Sequence, residues 1–140
     1  MTAFVLHISV TMAWLLPEKA AAKTGSGALL DRVVEAGAVA PDLWRNDVAE
    51  ALLAVERSGR ISPEQRDEAL DALGRLPIAL DPETSSHIWG ETLALAAAHG
   101  LRLRDAAYLE LALRRRLPLA TLDAGIAKAA RAIGIEAIDG

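Results

Sequence analysis

Residues 101–125 read LRLRDAAYLELALRRRLPLATLDAG, and the two aspartates in this stretch stand at two junctions between structural elements. Asp105 opens a helix that runs through about Arg116, and Asp123 follows a short strand, Leu117–Ala120. Open α/β sheets place ligand groups at the carboxyl ends of their strands, so the fold and the candidate site are decided by what else reaches that edge.

Working outward, the same alternation recurs. Phe4-Val5-Leu6 is a short apolar strand ending at His7, and Val10–Leu16 is a short helix stopped at Pro17. Gly25 and Gly27 punctuate a loop, after which Leu29, Leu30, Val33 and Val34 recur at helical spacing until Gly37. Ala38–Ala40 is a second buried strand. Pro41 and Asp42 start a longer helix carrying Val48, Leu52 and Val55, which stops near Ser58-Gly59. Ser62, Pro63 and Gln65 form an N-cap, a first-turn proline and a capping box for the next helix, to about Arg75. Pro77–Leu80 is a strand, Pro82–Ser86 leads into a helix closed by Gly100, Ala124–Ile133 is the last helix, and Ile135–Ile138 the last strand. Short apolar strands alternating with helices predict a parallel sheet covered on both faces, a three-layer α/β/α domain spanning residues 1–140.

Composition narrows the function. The chain has 140 residues, 52% hydrophobic and 24% charged, with a formal charge of −4 and no cysteine. Thiolate metal sites and disulfides are thereby excluded, and a cytoplasmic location is expected. No apolar run approaches the roughly 20 residues that span a bilayer. Met1–Leu16 lacks a basic n-region and reads as part of the fold rather than as a leader. The acidic balance argues against nucleic-acid binding by global electrostatics. Arg102, Arg104, Arg114, Arg115, Arg116, Lys128 and Arg131 nevertheless give the last third a local basic surface, which taken singly are solvated helix faces.

Polar side chains reach the predicted sheet edge at His7 and Ser9, at Asp105, and at Thr121 with Asp123. A further acid comes from the helix after Pro41, where Asp47 and Glu50 compete, since residues three apart share a face. Taken alone, Asp105 and Asp123 read equally well as helix N-caps. Trp14, Trp44 and Trp89 lie among apolar neighbours and read as core or interface anchors. His87 and His99 have no partners at metal-ligand spacing. A P-loop is excluded, because no glycine-rich loop ends in Lys-Ser or Lys-Thr. A phosphate-accepting receiver domain would need an acidic pair after its first strand, where His7-Ile8 stands.

The blocks FVLHISVTMAWLLPE, LWRNDVAEALL and LRDAAYLELALRRRLPLATLDAGIAKAARAIGI resemble, in order and spacing, those of the PIN-domain family, specifically VapC-type toxins of bacterial toxin–antitoxin pairs. The resemblance implies a metal-dependent ribonuclease acting on single-stranded or transfer RNA. It implies an acidic cluster holding Mg2+ or Mn2+, a cognate antitoxin and a homodimer. By position, Asp105, Asp123 and Asp47 match acids of that cluster, and Ser9 and Thr121 match hydroxyl residues that hold it. The departure is His7, where the family's first strand ends in aspartate. Imidazole removes a charge and a hard oxygen ligand, so magnesium affinity is expected to fall. Neighbouring carboxylates favour the charged ring, which predicts an imidazolium–carboxylate cluster with weak or absent cleavage. The alternative is a cleavage-impaired module that binds antitoxin or RNA.

Overall fold

The computed structural model describes residues 2–16 and 26–139. Its centre is β1 (Val5–Leu6), fully buried, flanked in parallel by β2 (Ala38–Pro41) and β4 (Leu119–Ala120). The outer strands are β3 (Ile78–Asp81) beside β2 and β5 (Ala137–Ile138) beside β4, giving the order β3-β2-β1-β4-β5. All pairings are parallel, with Val5 opposite Val39 on one side and Leu119 on the other. The chain first winds outward from β1 and then returns to lay β4 on its other side. This makes the β1–β4 boundary a topological switch point, where loops diverge and leave a crevice at the strands' carboxyl ends.

Among the described residues seven α-helices cover the sheet as a three-layer α/β/α arrangement. These are α1 (Ile8–Leu15), α2 (Ser26–Ala36), α3 (Trp44–Arg57), α4 (Pro63–Gly74), α5 (Leu93–His99), α6 (Leu103–Arg115) and α7 (Ala124–Ala132). Helix α6 lies across β1, β2 and β4, and α1 packs with α2 and α3. The position of α6 explains its composition, because eight consecutive residues, Asp105 to Ala112, are buried. Alanines 106, 107 and 112 let the sheet approach closely, while Tyr108, Leu109 and Leu111 fill the core.

Several local expectations hold. Ser62 and Gln65 form the capping box, and Gly37 ends α2 with φ of 79°. A β-carbon at Gly37 would meet the Pro77 carbonyl at 3.0 Å, so both the backbone angle and the close approach require glycine there.

Others are corrected. Pro41 does not start a helix; it is the last residue of β2, and Asp42-Leu43 turns into α3. The segment after Pro82 is a 3₁₀ turn (Thr84–His87) and a π turn (Ile88–Thr92) before α5, with Gly90 away from helical angles. The first helix begins at Ile8 without an intervening turn, and Asp105 sits inside the first turn of α6 rather than capping it. The expected stop at Pro17 and the loop at Gly25 lie outside the described residues. Among the described residues no helix is long and apolar enough to cross a membrane.

Candidate functional site

A crevice of about 370 Å³ opens at the switch point, lined by His7, Ser9, Asp47, Glu50, Asp105 and Asp123 together with Arg102 and Arg104. A larger groove of about 770 Å³ lies between α3, α4 and β3, but Trp44, Leu73, Leu76 and Leu80 line it and no carboxylate does. Ionisable chemistry is therefore gathered in the smaller crevice.

His7 is the hub. It follows β1, held there by its amide bonded to the Ala120 carbonyl at 3.0 Å, and its ring caps α1 by accepting the Ser9 amide N–H at Nδ1 (3.1 Å). An amide N–H only donates, so Nδ1 carries the lone pair and the ring proton resides on Nε2. That nitrogen is 3.2 Å from Asp105 Oδ1. In this geometry the ring faces Asp105 with a donating Nε2. Ser9 Oγ (2.8 Å) and Thr121 Oγ1 (3.3 Å) also approach Nδ1, and the edge of Tyr108 packs against the ring with centroids 4.7 Å apart.

Ser9 and Thr121 tie the two loops together. Ser9 Oγ accepts from the Leu122 amide at 2.8 Å, and Thr121 Oγ1 accepts from the Asp123 amide at 3.0 Å. Both act on backbone and on His7. Asp123 caps α7, its Oδ1 accepting from the Ile126 amide at 2.9 Å, and it remains exposed at the rim.

Asp105 is buried and accepts from His7 and, through Oδ2, from Arg102 Nε at 3.3 Å. The His7 hydrogen bond holds its carboxyl below the usual range, against the opposing effect of burial. Asp47 is buried in the first turn of α3 while its competitor Glu50 is exposed. Its Oδ1 pairs with Arg104 at 3.4 Å, but Oδ2 is buried without a hydrogen-bond partner. Burial raises the Asp47 pKa, and Arg104 offsets this only in part. The Tyr108 hydroxyl interacts electrostatically with Asp47, yet it too lacks a hydrogen bond of ordinary geometry. Burial followed by the Asp47 and Asp105 charges pushes its pKa up.

The donor set does not fit magnesium as arranged. Octahedral magnesium needs free oxygens converging at close range. Here both Asp105 oxygens, one Asp47 oxygen and one Asp123 oxygen are already engaged. Among the described residues no three His, Asp or Glu side chains are grouped so as to hold a metal ion. Only His7 and Asp105 of the four expected ligands are in contact.

Sequence reasoning missed Arg102, Arg104 and Tyr108 as members of the site. Arg102 was legible, since it stands three residues before Asp105. Arg104 meets Asp47 across the fold and carried no local signal. Trp44, the aromatic nearest the crevice in sequence terms, is buried and donates to Thr11 Oγ1 at 3.3 Å. His87 is half-buried with Nδ1 3.8 Å from Glu110 Oε2, and His99 ends α5.

No family model matches the chain, and no curated protein matches its sequence. Among solved structures it is similar to PAE2754 from Pyrobaculum aerophilum, with a TM-score of 0.65 and 17% identity over 98% of this chain and 90% of that one. It is also similar to FitAcB from Neisseria gonorrhoeae, with a TM-score of 0.63 and 16% identity over 96% of this chain and 95% of that one. The fold is PIN-like. At such identity the likeness concerns architecture, and the side chains of the PIN-like crevice must be read on their own chemistry.

Proposed function

We propose that this chain is a PIN-like module of a toxin–antitoxin pair whose metal-dependent RNA cleavage is impaired, and whose crevice serves to bind its antitoxin. The sequence blocks shared with VapC-type toxins and the fold shared with the two solved structures support the module. The observation that carries the impairment is His7 itself. Its imidazole stands at the end of β1, hydrogen-bonded to Asp105, where the family pattern has a carboxylate.

The charge of the crevice favours a protein partner. Four carboxylates line it against two guanidiniums, leaving a formal excess of two negative charges. An arginine from an antitoxin matches this, because a guanidinium fork pairs with carboxylates in bidentate fashion. RNA phosphates would meet repulsion inside and favourable contact only at Arg102 and Arg104, exposed on the rim.

The test compares the chain with His7→Asp on a single-stranded RNA and a transfer RNA, each with magnesium and with manganese. No cleavage above background is expected from the chain as it stands, with cleavage gained on substitution. Equal magnesium-dependent cleavage by both would overturn the impairment. Binding of RNA in preference to a cognate antitoxin would replace the partner assigned to the crevice.

A further inference from the structure

Helix α6 begins with charges that oppose its own dipole. Its N-cap is Arg102, whose side chain caps no backbone amide, and Arg104 stands two residues on. Cations at a helix N-terminus meet the partial positive charge of its free amides, and N-caps favour short side chains that carry an oxygen. Local helix chemistry therefore gives no reason for either arginine. The crevice gives one: Arg102 Nε reaches Asp105 Oδ2 at 3.3 Å, and Arg104 Nη2 reaches Asp47 Oδ1 at 3.4 Å. Each buried carboxylate of the crevice thus meets a guanidinium that the chain itself supplies.

We propose that Arg102 and Arg104 form an autoinhibitory contact, built-in cations that occupy the buried carboxylates of the crevice and must be displaced before a cationic ligand enters. The two guanidiniums are loosely held. Their side chains are 74% and 44% exposed, while those of Asp105 and Asp47 are 13% and 4% exposed. Ion pairs with an exposed partner are weak, and long stems let both heads turn into water without moving the helix. The resident cations also leave the crevice incomplete. Asp47 lines it, yet Asp47 Oδ2 is buried with no hydrogen-bond partner among the described residues. A buried oxygen left unpaired is costly, so a cation that satisfies both Asp47 oxygens binds better than Arg104 does. Displacement is thereby favoured for a ligand that reaches the depth of the crevice, and resisted for one that meets only its rim. This regulation rests on the reading of the crevice as a partner's binding site, whereas its test needs only the chain and manganese as a bare cation probe.

Manganese binding, followed by loss of the free ion's electron paramagnetic resonance signal, is expected to be about 10-fold tighter in Arg102→Gln/Arg104→Gln than in the parent. Both positions are exposed, so the far-UV circular dichroism should not change. Arg57→Gln/Arg75→Gln removes the same charge from exposed positions outside the crevice and should bind manganese as weakly as the parent. Adding Asp47→Asn to the crevice pair should remove most of the gain. A crevice pair that binds no more tightly than the control pair overturns the proposal, as does a gain that Asp47→Asn leaves undiminished. If His7→Asp alone then gains manganese, the lost acid of the first strand is the whole barrier, and the impairment assigned to His7 stands without the built-in cations. Manganese-dependent RNA cleavage by Arg102→Gln/Arg104→Gln with His7 in place would do the reverse, supporting the built-in cations and removing the impairment from His7.

Discussion

Two acidic centres in this molecule are built from the same residue types and are wired in opposite ways. Asp81, the last residue of β3, is fully buried and satisfied on every side: Arg114 donates twice, at 3.2 and 2.6 Å, Arg115 once at 3.0 Å, and Thr84 at 3.0 Å. Glu110 holds the Arg114 guanidinium from its other side at 2.7 Å. At the crevice, Asp105 and Asp47 are also buried, but their cations are the exposed Arg102 and Arg104, and one Asp47 oxygen has no partner. The first centre ties the edge strand to the end of α6. The second holds its carboxylates with contacts that a ligand can displace. Buried acids therefore do not by themselves mark a site; what distinguishes one is how much of their bonding capacity is left to long, solvated side chains.

The pKa directions follow this wiring. Burial pushes Asp81 up, but hydrogen bonds from Arg114, Arg115 and Thr84 outweigh it and hold the carboxyl below the usual range. Asp47 is raised, with burial the largest cause. For Asp81 and Asp105 the folded pKa is depressed, so their contribution is present above the unfolded value of 3.8 and is lost as pH falls through the folded value. For Asp47 the sign is reversed. Its charge is disfavoured in the fold, so the favourable contribution exists below the unfolded value and disappears as pH rises through the folded one.

The largest effect should come from breaking the complete centre. Asp81→Asn leaves Arg114 with Glu110 alone and takes the charged partner from Arg115, and is expected to lower the unfolding free energy by about 3 kcal/mol, read as a lower urea midpoint with unchanged slope. A loss within about 0.5 kcal/mol would erase the contrast.

Next is His7→Asp, which keeps an N-cap on α1 but sets a carboxylate against Asp105. We expect about 2 kcal/mol of destabilisation without metal, recovered as a rise in melting temperature of several degrees with millimolar manganese or magnesium. The parent's melting temperature should not respond. A parent that gains as much as the variant would show that its own donors accept the ion.

A smaller change, of opposite sign, is expected for Asp47→Asn. It removes a buried charge with an unsatisfied oxygen and should raise stability at pH 7 by on the order of 1 kcal/mol, with a smaller gain at pH 4. Urea midpoints at the two pH values check the sign; an equal gain at both would detach the effect from ionisation. Smallest is Tyr108→Phe. Its hydroxyl has no hydrogen-bond partner, so stability should stay within about 0.5 kcal/mol of the parent or rise slightly. A loss near 2 kcal/mol would show that the hydroxyl does bond Asp47 and that the crevice is wired more completely than its geometry indicates.

Much of this protein is legible in the chain. Short apolar runs such as Phe4-Val5-Leu6 and Ala38-Val39-Ala40, bounded by helix periods and glycines, already demand a parallel sheet covered on both faces, because such strands have no polar side to show to water. The capping box at Ser62 and the αL glycine at Gly37 are local, and local chemistry determines them. The candidate residues His7, Ser9, Asp47, Asp105 and Asp123 were also nameable, since strand ends and helix starts can be counted along the sequence. What only the tertiary structure decided is how those residues are wired. His7 and Asp105 meet across 98 positions, and they do so because β4 returns to lie beside β1 with α6 across both. The orientation of the His7 ring follows from the Ser9 amide that its Nδ1 accepts, a consequence of α1 beginning at Ile8. The opposite fates of Asp81 and Asp47 depend on which arginine a long-range fold brings to each. A carboxylate's identity is written in the sequence; its partners, and hence its charge, ligands and role, are set by the sheet order that assembles the space around it.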